Sequence, residues 1–290
     1  MRVLRTIHYF RGSSKSAVTV VRLIKGVIKK IIDENYKVKS FFIETDIRLE
    51  SYPGQYVMIW YPGSEEIPIS IADESGTVVR LLIAKAGATT EYIHLKARIG
   101  DYVRLRGPLG KGFTLVEDGR VACVAGGYGV APLFYLTKRL AEKGVRVHFF
   151  LGAKCKEELL LLDELSTFCE RIVVSTEDGS YGYRGVITEC FDEYLKREKY
   201  DIVYTCGPEL MMYKVILLCC ERGIRSEASL ERYIRCGIGL CGSCVLDPIG
   251  LRVCCEGPVI DGNILLKTDF GKYKRDECLR RVSISGVSRS

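Results

Sequence analysis

Long hydrophobic runs and histidine are scarce in this sequence, and no internal repeat or low-complexity tract is present. No stretch of 18 or more apolar residues occurs, so we expect no membrane-spanning helix and no membrane partner. The start, Met1-Arg-Val-Leu-Arg-Thr-Ile-His8, has no apolar segment of signal-peptide length, which argues against secretion. The three histidines (His8, His94 and His148) stand alone, so the sequence offers no Ser/His/Asp constellation and no catalytic metal motif of that kind.

The charge of the chain indicates which kind of partner to expect, and its cysteine content indicates the compartment. The formal net charge is +7, and the basic clusters at 25–30, 98–106 and 272–281 are not interleaved with aromatic residues. A solvated surface, or a docking face for an acidic partner, is therefore favoured over a nucleic-acid surface. Thirteen cysteines in a chain of 290 residues without a secretory start favour the reducing cytoplasm over a disulfide-rich secreted protein.

The C-terminal cysteines carry the most specific pattern. Cys236, Cys241 and Cys244 are spaced C-x4-C-x2-C, and Cys254 and Cys255 follow ten residues later. This is the plant-type ligand spacing of a [2Fe–2S] cluster, and the three glycines within the loop let the chain curl tightly around it. Zinc and plain buried cysteines are the alternatives, but zinc sites usually pair their ligands as close C-x2-C or Cys/His units. The pattern therefore predicts a one-electron carrier.

The N-terminal part has the pattern of a small antiparallel β-barrel over residues 18–117. Predicted strands at 38–44, 55–60 and 78–84 are rich in β-branched and aromatic residues and are bounded by turn signals. Short strands at this spacing are typical of a barrel. One short helix is predicted at 90–96.

From residue 118 to 226 predicted strands alternate with predicted helices. The strands are at 121–125, 145–151, 172–175 and 202–206, and the helices at 131–143, 157–169, 186–196 and 209–222. This alternation indicates a parallel sheet with crossover helices. Residues 227–290 form the cluster-binding segment and a tail, so the expected fold class is a multidomain α+β protein.

A glycine-rich turn, Ala125-Gly-Gly-Tyr-Gly-Val-Ala-Pro132, connects the first of these strands to its helix. Gly126, Gly127 and Gly129 would let a pyrophosphate approach the backbone at the helix N-terminus, and Pro132 suits an early helical position. Alone, the pattern is also compatible with a tight turn that binds nothing.

This turn looks like the nicotinamide-binding turn of the ferredoxin–NADP reductase superfamily. Cys206-Gly-Pro-Glu209 matches the second signature of that superfamily. The resemblance implies that Cys206 is a catalytic residue near the nicotinamide, with Gly207 and Pro208 beside it.

The barrel part resembles the flavin-binding domain of the same superfamily. Pro68-Ile-Ser70 is similar to its R-P-x-S motif, Gly87-Ala-Thr-Thr90 to its pyrophosphate-binding segment, and 105–113 to its closing barrel turn. The flavin-binding residues implied by this resemblance are Ile67, Pro68, Ile69, Ser70, Leu82, Ile83, Ala84, Thr89 and Thr90. Taken alone, 68–70 is also typical of an edge-strand turn.

One position departs from the flavin motif, because Ile67 stands where the superfamily has arginine. A different cation, Lys85 or Arg80, must then neutralise the flavin phosphates.

The order of barrel, nucleotide domain and cysteine segment resembles the electron-transfer subunits of NAD-dependent (B-type) dihydroorotate dehydrogenases. The resemblance implies FAD, one [2Fe–2S] cluster and NAD as cofactors, and a role in pyrimidine (UMP) biosynthesis. It also implies an FMN-containing catalytic partner subunit, in a heterotetramer with two copies of each chain. Electrons would pass from dihydroorotate through FMN, the cluster and FAD to NAD+, since only a flavin exchanges both electron pairs and single electrons. The family's V-C-x-x-G-P motif selects Cys254 over Cys255 as the fourth ligand, although the doublet leaves both open.

Other functions share these modules. A reductase subunit of a hydrogenase or of a ferredoxin:NADP oxidoreductase fits the same motifs, and a non-enzymatic regulator that binds zinc and a nucleotide is the alternative from another class. The second nucleotide-domain strand is followed by Lys154, a basic residue that would tolerate a 2′-phosphate. The choice of NAD over NADP therefore follows from the resemblance only.

Overall fold

The computed structural model describes residues 23–276 and 278–284. The first six strands are β1 (Leu23–Asp33), β2 (Val38–Thr45), β3 (Tyr56–Trp60), β4 (Ile67–Ser75), β5 (Val78–Ala84) and β6 (Tyr102–Leu109). They close into an antiparallel barrel in the order β1-β2-β5-β4-β3-β6, which confirms the predicted barrel. Residues 18–22 of the predicted barrel range lie outside the described residues.

The barrel core follows from the alternation of apolar residues along each strand. In β6, for example, residues 103, 105, 107 and 109 are buried, while the alternate residues 104, 106 and 108 are more exposed. Helix α1 (Ala88–Lys96) packs Ile93 into this core. On the same helix, His94 is buried, with its Nε2 2.7 Å from the carbonyl oxygen of Ile83, which is a structural contact.

The second part alternates strands and helices as predicted. Its strands are β7 (Arg120–Gly126), β8 (Arg146–Ala153), β9 (Arg171–Thr176), β10 (Tyr183–Arg184), β11 (Ile202–Cys206) and β12 (Arg225–Ser229). Its helices are α2 (Val130–Ala141), α3 (Leu162–Ser166), α4 (Ile187–Leu195) and α5 (Glu209–Glu221). The strands pair in parallel in the order β10-β9-β8-β7-β11-β12, so the direction of winding reverses between β7 and β11. In doubly wound sheets, ligands bind at such a reversal, beyond the carboxyl ends of the strands.

The helix predicted at 157–169 is wrong in extent. Only a short 3-10 turn (Lys156–Glu158) and α3 (Leu162–Ser166) form there, and Leu161 between them has a left-handed φ of 56°. Leu160 and Leu161 are both buried, and Leu165 follows them into the same core. A helix buries residues that are three or four positions apart, so it cannot bury consecutive leucines on one face. The helix is interrupted here because both Leu160 and Leu161 are buried in the same core.

The C-terminal segment is joined to the nucleotide-domain sheet. Its elements are β13 (Val245–Leu246), β14 (Leu251–Arg252), α6 (Val253–Glu256), β15 (Val259–Asp261), α7 (Gly262–Leu265), β16 (Tyr273–Arg275) and β17 (Arg281–Ser283). Strand β15 pairs antiparallel with β12 and becomes the seventh strand of the sheet. Residues 226 and 227, between which the sequence predicts a domain boundary, both lie in β12. Among the described residues, no helix is both long and apolar enough to cross a membrane.

Candidate cofactor and cluster sites

The two glycine turns predicted to hold the nicotinamide lie against each other where the winding of the sheet reverses. Gly126 ends β7 and Gly207 follows β11. A Cβ atom on Gly207 would lie 2.8 Å from the nitrogen and oxygen of Gly126, and one on Gly126 would lie 2.6 Å from Cδ of Pro208. Because any side chain would separate them, the two turns form one continuous surface only with glycine at these positions.

Gly127 and Gly129 have different roles within the first turn. A Cβ atom on Gly129 would clash with the carbonyl oxygen of Cys206, so this glycine serves packing. Gly127 has a φ of +53° and no other atom within 4 Å of the place where a Cβ would stand. Pro132 is buried early in α2, where its missing N–H costs nothing. Gly127 is therefore the glycine of this turn that faces open space.

Replacing Gly127 with asparagine should raise the apparent KM for NADH about tenfold, a loss of about 1.4 kcal/mol. Asparagine tolerates the left-handed backbone, and its side chain would occupy space that the pyrophosphate needs. Steady-state kinetics with an artificial acceptor would measure the KM, and flavin absorbance would report bound FAD.

Gly144→Asn is the matched control, because Gly144 also has a positive φ (79°) and open space but lies beyond the C-terminus of α2. Equal loss of flavin and NADH binding in Gly127→Asn would instead identify the turn as a folding element.

Cys206 lies at the end of β11, between the two neighbouring strands of the sheet. It is 4 % exposed, and burial, together with the charge of Glu231, raises the pKa of its thiol. Its sulfur therefore stays protonated at neutral pH and suits contact with a nicotinamide ring better than proton transfer. A catalytic role for Cys206 stays a prediction.

Glu209, the last residue of the Cys-Gly-Pro-Glu signature, is held in a buried ion pair. Its carboxylate oxygens accept hydrogen bonds from both Nη atoms of Arg232, at 2.6 and 2.8 Å, and from the N–H of Gly271 at 2.8 Å. Arg232 is almost fully buried. This residue of the signature therefore ties the nucleotide domain to the cluster segment.

The predicted flavin residues border a split in the barrel wall. Strands β4 and β5 pair from Ser75–Val78 to Ile71–Leu81, and their pairing ends there. Residues 67–70 continue along β3, while 82–84 continue along β2. The segment 68–70 is therefore a strand rather than a turn, paired on one side, as an internal proline requires. The two stretches named by the flavin resemblance face each other across this split.

The N-terminus of α1 lies directly after the end of β5. Thr90 Oγ1 accepts hydrogen bonds from the N–H groups of Ala86 and Gly87 and donates one to the carbonyl of Gly87. This fixes the turn and leaves the first N–H groups of the helix, including that of Thr89, free of intrahelical partners. Such N–H groups bind phosphate well.

Of the two cations expected to replace the missing arginine, Arg80 already forms ion pairs with two glutamates. Its guanidinium is buried and contacts Glu34 at 2.9 Å and Glu164 at 2.7 Å. Lys85, in contrast, is exposed beside the N-terminus of α1 and lines a shallow groove with Lys39 and His94. The expectation for Arg80 is therefore wrong, since Arg80 joins the barrel to α3 of the nucleotide domain.

The cluster loop directs backbone N–H groups at the predicted ligand sulfurs. Cys236 Sγ accepts from Leu240 at 3.3 Å and from Cys241 at 3.4 Å. Cys254 Sγ accepts from Gly239 at 3.2 Å, and Cys244 Sγ accepts from Cys254 at 3.3 Å. N–H groups aimed at sulfur are the environment in which Fe–S clusters are held and tuned.

The four predicted ligands form two pairs through backbone-to-sulfur contacts. The N–H of Cys241 donates to Cys236 Sγ, and the N–H of Cys254 donates to Cys244 Sγ. Within residues 23–276 and 278–284, no three Cys, His, Asp or Glu side chains converge on one metal ion. Two pairs of thiols suit a two-iron cluster, in which each iron takes two cysteines.

Cys241 is the thiol most easily ionised. Partial burial raises its pKa, but hydrogen bonds from Ser243 and from Cys236 outweigh burial and lower the pKa to about 6. A thiolate is the form that binds metal, so this position is prepared for ligation near neutral pH.

Cys255 contacts the last predicted ligand, Cys254, through its thiol. Its Sγ is 3.7 Å from that of Cys254, and burial raises its pKa. Cys254 itself is fully buried and accepts the Gly239 N–H. This geometry supports Cys254 as the fourth ligand, which stays a prediction.

Acidic residues stand near the predicted adenosine end of the nucleotide site, where the sequence had indicated only Lys154. The N–H groups of Glu177 and Asp178, after β9, donate to the carbonyls of Ala153 and Lys154, after β8, at 3.1 and 3.2 Å. Carboxylates at such strand ends can accept ribose hydroxyls. The sequence signal for these carboxylates is Thr176-Glu-Asp-Gly179 at the end of β9, one strand further along the chain than Lys154.

The nucleotide domain and the cluster segment are each similar to a known protein family. Residues 231–266 match the iron-sulfur cluster binding domain of dihydroorotate dehydrogenase B, and residues 123–216 match an oxidoreductase NAD-binding domain. A solved chain of an NADH-dependent reduced ferredoxin-NADP oxidoreductase, described for flavin-based electron bifurcation, is 31 % identical, with a TM-score of 0.76. That likeness covers 84 % of this chain and 90 % of the solved one.

Two curated relatives span nearly the whole chain. The protein from Methanocella arvoryzae is 42 % identical over 266 residues, covering 91 % of this chain and 100 % of the relative. The one from Methanocaldococcus jannaschii is 40 % identical, covering 88 % and 96 %. Both are named "Probable dihydroorotate dehydrogenase B (NAD(+)), electron transfer subunit". This chain belongs to the family of dihydroorotate dehydrogenase B (NAD(+)) electron transfer subunits.

Proposed function

We propose that this chain carries electrons between a dihydroorotate-oxidising, FMN-containing catalytic subunit and NAD+. In this function a [2Fe–2S] cluster bound by Cys236, Cys241, Cys244 and Cys254 receives the electrons, and an FAD in the split of the barrel wall passes them on. The flavin supplies the exchange between single electrons and a hydride. In this proposal the residues of the chain hold the cluster, FAD and NAD+ in the order in which the electrons pass.

The observation that carries this proposal is the position of β3 between the flavin strand and the cluster loop. Tyr56 in β3 pairs with Ser70 in β4, and Met58 pairs with Pro68. The hydroxyl of the same Tyr56 donates a hydrogen bond to the carbonyl oxygen of Cys254 at 3.0 Å. Adjacent strands are about 4.8 Å apart, so a single strand separates the proposed flavin and cluster sites.

The nicotinamide site is proposed at the surface formed by Gly126, Gly127, Gly207 and Pro208. This surface lies at the reversal point of the sheet, where a dinucleotide would extend from β11 and β7 toward β8 and β9. Glu177, at the far end, would then favour NAD over NADP by accepting ribose hydroxyls and repelling a 2′-phosphate.

The partner is proposed to dock over the cluster loop, in an assembly with two copies of each subunit. Cys241 is exposed, and the adjacent Leu240 is 70 % exposed. An exposed ligand cysteine would bring the cluster close to an acceptor on a second protein, and an exposed leucine suits an apolar contact. The proposed compartment is the reducing cytoplasm, in keeping with thirteen cysteines that are all free thiols.

Lys85 is proposed to supply the cation that the flavin motif lacks at Ile67. Lys85→Met should weaken FAD binding about fivefold, since one phosphate contact at a partly exposed site contributes about 1 kcal/mol. Flavin fluorescence on dilution would measure the dissociation constant.

Lys96→Met, at the opposite end of α1, is the matched control and should leave FAD affinity unchanged. If both variants bind FAD as the native chain does, the cation comes from elsewhere.

Reconstitution with the catalytic subunit tests the function as a whole, because NAD-linked orotate formation should require both chains.

The solved relative described as a ferredoxin-NADP oxidoreductase keeps a second candidate function open. It is 31 % identical, against 42 % for the dihydroorotate dehydrogenase relative, so the second candidate has weaker support.

A further inference from the structure

Two side chains of the barrel hold the two ends of the cluster loop. Nη1 of Arg106, in β6, donates to the carbonyl oxygen of Cys236 at 2.7 Å. Tyr56, in the adjacent β3, donates its hydroxyl to the carbonyl oxygen of Cys254 at 3.0 Å. The first and the last predicted ligand are thus each bonded through their own carbonyl to a barrel strand.

The loop also packs tightly on these strands. A Cβ atom on Gly237 would lie 3.0 Å from Cδ1 of Leu109 and 3.4 Å from Cγ of Met58. Its φ of +68° favours glycine as well. The loop therefore cannot move away from the barrel without breaking both hydrogen bonds and this contact.

Arg106 brings a positive charge to the loop, and Glu66 partly balances it. The guanidinium donates to the Glu66 carboxylate through Nε at 3.0 Å and through Nη2 at 2.6 Å. The Arg106 side chain is mostly buried, whereas Glu66 is more exposed. Because screening by water is weaker at a buried group, the arginine charge should act more strongly on the cluster than the glutamate charge does.

We propose that Arg106 is a positioning residue that raises the reduction potential of the [2Fe–2S] cluster, and that Tyr56 supports it from the other end of the loop. Reduction adds a negative charge to the cluster, and a nearby cation or a hydrogen bond to a ligand stabilises that charge. The inference rests on the proposed ligand set, and it adds that the flavin domain itself sets the potential of the cluster that serves it.

The test is an EPR-monitored redox titration of the purified full chain, with iron content measured in parallel. Arg106→Met should shift the midpoint potential of the cluster to a more negative value, and Arg106→Lys should keep it near that of the native chain. Glu66→Gln should shift the potential the other way, because the arginine charge is then unbalanced. Tyr56→Phe should give a smaller negative shift, since a neutral hydroxyl is lost.

Arg104→Met is the matched control, as Arg104 lies two residues earlier on the same outward face of β6. It removes the same charge at a position on the strand about 7 Å from Arg106. A general disturbance of the loop would move the potential in one direction in all variants, whereas the proposal requires opposite shifts for Arg106→Met and Glu66→Gln.

Equal potentials in Arg106→Met, Arg104→Met and the native chain, each with full iron content, would overturn the proposal. If Arg106→Met fails to assemble its cluster, Glu66→Gln decides, and the absence of a positive shift there overturns the proposal as well. A native chain without a cluster would instead refute the proposed ligand set and function.

Discussion

Serine in place of Cys236, Cys241, Cys244 or Cys254 should abolish the EPR signal of the reduced cluster or weaken it at least tenfold. The effect is large because each of these sulfurs is proposed as a direct iron ligand, and even changes around a metal ligand cost ten- to a hundredfold in metal affinity. A serine hydroxyl is not ionised at neutral pH, whereas a cysteine such as Cys241, with a pKa lowered to about 6, is largely thiolate. Iron content and EPR amplitude measure the outcome.

Cys255→Ser is the matched control for this series. It changes the same atom one residue further along the chain, and the cluster should keep its normal amplitude. Flavin content should stay constant in all five variants, because the barrel split does not involve these residues. A normal cluster in Cys254→Ser, together with its loss in Cys255→Ser, would reassign the fourth ligand.

The isolated chain should oxidise NADH with ferricyanide as acceptor and yet show no turnover of dihydroorotate. The proposed nicotinamide surface, flavin site and cluster loop occupy the described domains, and His94 and His148 have structural contacts. His148, for example, is buried, with its Nδ1 3.0 Å from the hydroxyl of Tyr200. Adding an FMN-containing catalytic subunit should create NAD-linked orotate formation, which is assayed by absorbance.

Cys241→Ser tests electron transfer through the cluster (the relay) separately from the reaction of NADH with the flavin. The variant should keep NADH–ferricyanide activity through its flavin but lose orotate formation when combined with the partner. Orotate production by the isolated chain would refute the relay. Activation by a hydrogenase subunit in place of the catalytic partner would keep the relay and refute the link to pyrimidine synthesis.

Apolar strands in the sequence predicted the fold well. The predicted strands at 78–84 and 202–206 coincide with β5 and β11, since both are short, largely apolar segments next to turn signals. Strand β12, Arg-Ser-Glu-Ala-Ser, has no such signal and was not predicted. It is a strand because β11 and β15 pair with it on both sides, a tertiary effect that local propensity does not contain.

For the site residues as well, local features could be predicted from the sequence, whereas long-range contacts could not. Spacing and glycine content predicted a cluster loop and a nicotinamide turn, because both are local features of the chain, and these segments lie within the regions that match iron-sulfur and NAD-binding domains. The commitment of Arg80 to Glu34 and Glu164 could not be predicted, since those partners are 46 and 84 residues away. Likewise, the contact of Arg106 with Cys236 joins residues 130 positions apart.

Strand β15 restricts how this cluster segment can be exchanged between proteins. A recombination event that replaced everything after β12 would leave unpaired those N–H and C=O groups of 227–229 that face β15, and such an open edge invites association with other chains. It would also remove Arg232 from Glu209 and leave a buried carboxylate without its cation. A transplanted cluster domain would therefore have to bring its own sheet strand and arginine. Substitutions on the exposed part of the loop are the less disruptive route to a new redox partner.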